Sequence, residues 1–220
     1  MTKILAFEGI DGTGKSVQMA RLQERLVSEG KRVLTLSFPR YDSFFGKQAG
    51  ELLAGKNGVR ADEVDQKSMA LWYALDRFEA FRDLRYTAYD VLLINRYVLS
   101  NAAYQSVRDR DLSQPDLLDY VLTLEHEHFR IPRADAHLVL DMDTESAAGN
   151  VDKKGFRAYV GNTRDVYEAI PGIQQRARRK YLEFASRLDN VFVIPCMENG
   201  RLKSIASIGE RIDAVLTDIL

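Results

Sequence analysis

The chain has 220 residues, of which 45% are hydrophobic and 29% charged, and its formal net charge is −1. That size supports one sizeable core, and the near-neutral balance offers no global basic field, so no nucleic-acid partner is expected. No apolar run reaches the roughly 18 residues a spanning helix needs, so no membrane is expected either, and the single cysteine, Cys196, excludes an intrachain disulfide.

Five apolar runs mark strands, at 4–7, 33–38, 91–94, 136–140 and 191–194. They are apolar nearly throughout, the pattern of strands buried on both faces of a parallel sheet. Between them, helical periodicity predicts helices over 15–29, 65–86, 114–129, 167–188 and 202–220, the first with Met19, Leu22 and Leu26 on one stripe and Gly30 as its stop. Strand–helix alternation of this kind reads as one α/β domain with right-handed crossovers, here residues 1–220. The least core-like stretch, about 144–165, holds Gly149, Gly155 and Gly161 among polar and basic residues and reads as a mobile lid. The first residues lack the charged n-region and apolar stretch of a signal peptide, so the expected location is cytoplasmic.

The strongest chemical signal is Gly9-Ile10-Asp11-Gly12-Thr13-Gly14-Lys15-Ser16, a full G-x-x-x-x-G-K-[ST] match. Its glycines let backbone N–H groups curl around phosphate oxygens, and the helix that follows aims its positive end at the same anion. Lys15 supplies a point charge for the β- and γ-phosphates, and the Ser16 hydroxyl suits Mg²⁺. Four constrained positions arise by chance in roughly one chain per hundred of this length, but this match follows an apolar strand and opens an amphipathic helix. The loop implies ATP-type binding by residues 9–16 and the adjoining Val17; it does not name an acceptor. Asp11 suits a cation or a sugar hydroxyl, or simply a turn before glycine.

Further segments resemble thymidylate kinases, in order and at the right spacing: FEGIDGTGKS, SFPRYDS, ALWYALDR, INRYVLSNAAYQ, and late in the chain RDVYEAIPGIQQR followed by KYLEFA. The likeness runs over about 3–185. It implies a P-loop NTPase fold, a five-stranded parallel sheet with helices on both faces, and transfer of the γ-phosphate of ATP to dTMP with Mg²⁺. It also implies a homodimer that packs helices including the one over 65–86.

Residue chemistry and resemblance then meet. Arg40 and Arg96 follow the second and third strands at the mouth of the sheet, and two guanidiniums there suit a phosphate clamp; the resemblance gives them the acceptor phosphate. Met69, Tyr73 and Arg77 share one helix face, and by resemblance Tyr73 stacks on thymine while Arg77 reaches a base carbonyl. The resemblance also places Asn101 at the base edge, Tyr104 below the sugar, and Phe38 and Tyr41 beside the substrate. By resemblance Asp165 and Tyr167 would order the acceptor side, and Glu168 would attend the metal with Asp11 and Ser16.

Two departures stand out. Asn95 stands where the family usually has Asp; one lost charge contact would cost on the order of a hundredfold in rate. Gly12 stands where some members place an arginine, so positive charge is expected from Lys153, Lys154, Arg157 and above all Arg164 in the lid. Two rival readings follow: a P-loop kinase for another monophosphate or a nucleoside, or a catalytically impaired nucleotide-binding protein because of Asn95.

Overall fold

The computed structural model describes residues 1–55, 58–108, 115–151 and 166–220, with only the backbone of Glu168 and Ala169. Each of the five apolar runs forms a strand: β1 Lys3–Glu8, β2 Val33–Ser37, β3 Val91–Asn95, β4 Ala136–Asp141 and β5 Val191–Pro195. They make one parallel sheet in the order β2-β3-β1-β4-β5. Leu5, Ala6 and Phe7 are consecutive and all 0% exposed, so both faces of β1 are covered. Burying each large apolar side chain this way contributes about 1.5–3 kcal/mol, which is why the strand runs do not alternate.

The helices are α1 Lys15–Ser28, α2 Phe44–Leu53, α3 Gln66–Asp83, α4 Val98–Val107, α5 Leu118–Leu122, α6 Thr144–Val151, α7 Val166–Ala169, α8 Ile173–Ala185 and α9 Ile205–Leu216. α1 packs on β1, β2, β3 and α9, while α4 packs between α3 and α8. The stripe predicted on the first helix is the buried one, with Leu22 and Leu26 at 0% and 1% exposure.

Local chemistry explains where the elements depart from the periodicity reading. The span predicted as one helix over 167–188 is two, because Pro171 cannot continue a helix and Gly172 takes a left-handed conformation. The last helix starts at Ile205 rather than 202, capped by Ser204. Residues 197–198 and 201–202 instead pair as a small hairpin, β6 and β7, about Asn199 and Gly200, both at positive φ. α2, capped by the Ser43 hydroxyl, went unpredicted: its buried stripe, Gly46, Ala49, Gly50 and Leu53, is made mostly of glycine and alanine. Residues 114–129 hold α5 and then a wider π-helical turn, Thr123–His128. The lid span is helical over Thr144–Val151; 152–165 lie outside the described residues.

The strand ends set the site. Phe7 of β1 and Ser37 of β2 both register with Asn95 of β3, so residues 9, 38–41 and 96 leave the sheet side by side. Among the described residues no helix is long and apolar enough to cross a membrane.

Candidate active site

The carboxyl ends of β1, β2 and β3 open onto a cavity of about 480 Å³, the place where open α/β sheets bind ligands. Residues 9–14 curl over one end. A Cβ on Gly9 (φ +125°) would stand 2.7 Å from the Leu140 carbonyl, and one on Gly12 (φ +83°) would overlap the Ala147 carbonyl of α6. Asn150 of α6 adds a hydrogen bond to Gly12 O at 3.0 Å. With α6 in this place no side chain fits at position 12, a steric account of the glycine there.

Lys15 is 7% exposed and its ammonium donates to Gly9 O and Ile10 O, at 3.0 and 2.7 Å. Thr13 Oγ1 donates to Ile10 O while the Ile10 side chain sits in the core. Ser16 and Gly14 line the cavity, whereas Val17 is exposed on α1.

Arg96 is held in the left-handed region, φ 63°, a conformation that costs roughly 1–3 kcal/mol for a residue with a Cβ. What it achieves is aim: Arg96 Nη2 meets Asp11 Oδ1 at 2.5 Å, and the guanidinium lies 5.3 Å over the Tyr104 ring. Gln174 Nε2 donates to Asp11 Oδ2 at 3.1 Å, and Tyr104 Oη donates to Gln174 Oε1 at 2.8 Å. Burial pushes the Asp11 carboxyl up, but Arg96 and Lys15 outweigh it and hold it well below the usual carboxylate range. Asp11 therefore stays ionised. Its counter-charges and amide partners come from the protein itself.

Beneath Arg96 lies Glu8, 0% exposed. Its carboxylate accepts from Tyr97 N at 3.1 Å and from the Ser100 hydroxyl, so it caps α4, whose first residues supply no cap of their own. The Ser100 hydroxyl also touches Tyr181 Oη at 2.8 Å. This buried knot ties the end of β1 to α4 and α8, and Arg96 projects from it.

Arg40 follows β2 after a cis Phe38–Pro39 peptide. Asp76, fully buried, accepts from Arg40 N at 2.8 Å, Arg40 Nε at 3.1 Å and Ser43 Oγ at 2.7 Å. Glu79 adds a contact to Arg40 Nη2 at 3.0 Å. α3 thus holds Arg40 by two carboxylates one turn apart.

At the far end of the cavity stand Phe38, Tyr73, Arg77 and Asn101. Arg77 is 2% exposed and forks onto Glu125, Nε to Oε2 at 2.5 Å and Nη2 to Oε1 at 2.6 Å. Burial disfavours its charge, but Glu125 more than compensates. Its guanidinium also lies 5.7 Å over the Phe38 ring. Asn101 Nδ2 donates to Ala70 O and to Glu125 Oε1, each at 3.0 Å. Between the two ends, the Tyr104 and Tyr167 rings stack at 6.4 Å and 10°, with Tyr167 Oη on Gln105 Oε1 at 3.0 Å.

The structure thus gathers Asp11, Lys15, Ser16, Phe38, Tyr41, Tyr73, Arg77, Arg96, Asn101, Tyr104 and Tyr167 around one cavity. Arg40 lies beside it on α3's carboxylates, and Met69, on the same helix as Tyr73 and Arg77, is wholly buried. Lys153, Lys154, Arg157, Arg164 and Asp165, and the side chain of Glu168, lie outside the described residues. Four residues went unread in the sequence: Glu8, Asp76, Glu125 and Gln174. Asp76 directly precedes Arg77 and Glu8 ends a strand, cues that were available; Glu125, among EHEH, offers none. Cys196 is wholly buried, and burial pushes its thiol up to about 12, so it is no nucleophile.

Comparison with known proteins agrees with this geometry. The family model described as thymidylate kinase matches residues 7–202. A thymidylate kinase of Mycobacterium tuberculosis is 33% identical over 187 residues, covering 84% of this chain and 86% of the relative. Among solved structures, thymidylate kinase from Candida albicans superposes with a TM-score of 0.71 at 19% identity, over 99% of this chain and 92% of that one. Thymidylate kinase from Ehrlichia chaffeensis superposes with 0.66 at 20% identity, over 98% and 99%; at such identities these two speak for the fold alone. Phosphate loop, arginine pair, far-end slot and matched sequence agree, and the chain belongs to the thymidylate kinase family.

Proposed function

We propose that the protein transfers the γ-phosphate of ATP to dTMP, giving dTDP and ADP. The observation that carries this reading is one cavity with a phosphate loop at one end, an aromatic and amide slot at the other, and Arg96 between them. ATP phosphates rest on residues 9–16, and the acceptor phosphate lies between that loop and the Arg40–Arg96 pair. A phosphate monoester is already anionic near neutral pH, with a second ionisation at about 6, so no strong general base is required. Lys15 and Arg96 offset charge on the transferring group, and catalysis is mostly alignment and electrostatics. Tyr104 and Tyr167, stacked between the two ends, wall the sugar region. Closure of the lid, with Arg164 the favoured lid cation and Asp165 and Glu168 at its edge, would exclude water so that ATP is not simply hydrolysed.

Mg²⁺ is implied by the family, and the residues present fit it. Asn95 Oδ1 is a buried acceptor with no hydrogen-bond partner among the described residues, and Asn95 and Ser16 both line the cavity. Mg²⁺ keeps several of its waters and leans on substrate phosphates, so two uncharged protein oxygens are a sufficient protein share of its shell. Ser16 and Asn95 would hold it, and bound there it would neutralise phosphate charge. Asn95→Asp adds a carboxylate at that point and raises kcat by on the order of tenfold or more; an unchanged rate in a steady-state assay would show the amide to be no handicap.

The direct test of the reaction is ADP release with ATP and Mg²⁺ on dTMP, dUMP, dCMP, AMP and thymidine. Clear preference for dTMP supports the reading; silence on every acceptor despite ATP binding overturns it. We place the enzyme in the cytoplasm and as a homodimer packed through α3, where Leu71 and Phe78 are exposed at 37% and 36%, seven residues apart on one stripe. Light scattering reading a monomer mass at assay concentration would dismiss the dimer.

A further inference from the structure

We infer that Glu125, which itself touches no substrate, is the positioning residue that sets the hydrogen-bond polarity of the base slot, so that the slot takes a 4-keto pyrimidine and rejects its 4-amino counterpart. The inference rests on the reading of Arg77 and Asn101 as the base end of the dTMP site.

An asparagine amide presents either an acceptor or a donor depending on its flip, and the neighbours decide which. Here two acceptors, Ala70 O and Glu125 Oε1, surround Asn101 Nδ2. Flipping the amide would set its oxygen against a carbonyl and a carboxylate. The nitrogen is therefore turned into the protein, and Asn101 Oδ1, buried and without a partner among the described residues, is the atom left for the slot. That is an acceptor waiting for a donor.

The same carboxylate orients the second reader. Glu125 takes Nε and Nη2 of Arg77, which leaves Nη1 as the edge Glu125 does not use, and Nη1 can only donate. A donor beside an acceptor matches O4 and N3–H of thymine. Cytosine carries the reverse pair, an amino donor at C4 and a bare acceptor at N3. One buried carboxylate, 0% exposed, thus fixes the acceptor face of Asn101 and aims the donor of Arg77 beside it. The π-helical turn Thr123–His128 brings it there: Phe129 N donates to Leu124 O and Ile131 N to Glu125 O, and the widened turn carries the residue inward.

Glutamine at 125 keeps the shape but cannot accept all three hydrogen bonds: with its oxygen in the Oε1 place its NH2 opposes Arg77 Nε, and with its oxygen in the Oε2 place its NH2 opposes Arg77 Nη2 and Asn101 Nδ2. Either Asn101 turns over or Arg77 loses its anchor. The probe pair is dTMP and 5-methyl-dCMP, which differ only in the 4-keto/4-amino exchange and its N3 proton. In Glu125→Gln the ratio of kcat/KM for dTMP over 5-methyl-dCMP falls by about tenfold or more, through KM rather than kcat, because the phosphate end is held elsewhere. Glu125→Asp keeps the charge and is the milder variant; its shortened reach lowers the ratio in the same direction even where the glutamine variant does not fold. A folded variant whose ratio stays within threefold of wild type, with both substrates slowed equally, overturns the inference and makes Glu125 a structural residue only. Wild-type protein with no preference for dTMP over 5-methyl-dCMP overturns instead the assignment of the base slot itself.

Discussion

Replacing Arg96 with alanine is expected to lower kcat for dTMP by on the order of a hundred- to a thousandfold, the usual loss when one preorganised charge is removed from a phosphoryl or oxyanion site. The guanidinium stands between loop and acceptor, 2.5 Å from Asp11 and stacked on Tyr104. Its removal also takes from Asp11 the principal cation holding that carboxyl ionised, so charge is lost and misplaced together. Stability is expected to change little, because the substitution keeps the Cβ and therefore the positive-φ strain at 96, while Glu8 still caps α4. ATP binding, which rests on Lys15 and the loop, is retained. Single-turnover kinetics with titrated ATP affinity checks all of this; a rate within tenfold of wild type would remove Arg96 from the chemistry.

Asp76→Ala is expected to cost about 3 kcal/mol of stability and to weaken dTMP binding as well. Asp76 is 0% exposed and satisfies Arg40 N, Arg40 Nε and the Ser43 hydroxyl. Alanine leaves all three without it, and the Arg40 side chain, at 26% exposure, recovers only part of its partnership from water and Glu79. For a chain of this size the loss corresponds to a fall in Tm of roughly 6–12 °C. Asp76→Asn, which can still accept from the backbone and hydroxyl, is expected to lose clearly less. Thermal unfolding followed by circular dichroism, with KM for dTMP measured alongside, checks the pair. Equal stability for Asp76→Ala and wild type would mean that Arg40 is not held by α3.

These two residues also divide what could be read from the chain order alone. Arg96 was legible because it follows an apolar run and belongs to a motif, INRYVLSNAAYQ, whose spacing is local. The five strands were legible for the same kind of reason: a strand buried on both faces has only one composition open to it, and the runs at 4–7, 33–38, 91–94, 136–140 and 191–194 have it. The phosphate loop and its lysine are likewise a contiguous stretch whose backbone chemistry needs those residue types in that order.

The supports of the site were another matter, because each is a partnership across the chain. Glu8 caps a helix that begins 90 residues later, Asp76 holds an arginine 36 residues away, and Gln174 bonds Asp11 across 163. A buried carboxylate in sequence looks like any exposed one; only the fold shows that it has left water and must be paired. Glu125 is the clearest case, since EHEH reads as a solvated stretch until a π-helical turn points its first glutamate at Arg77 and Asn101. The order of residues by itself determined the sheet, the phosphate loop and the family, because local patterns dictate them. Which carboxylate holds each cation, and which face each amide turns to the cavity, was decided by the tertiary structure alone, because desolvation acts on neighbours in space.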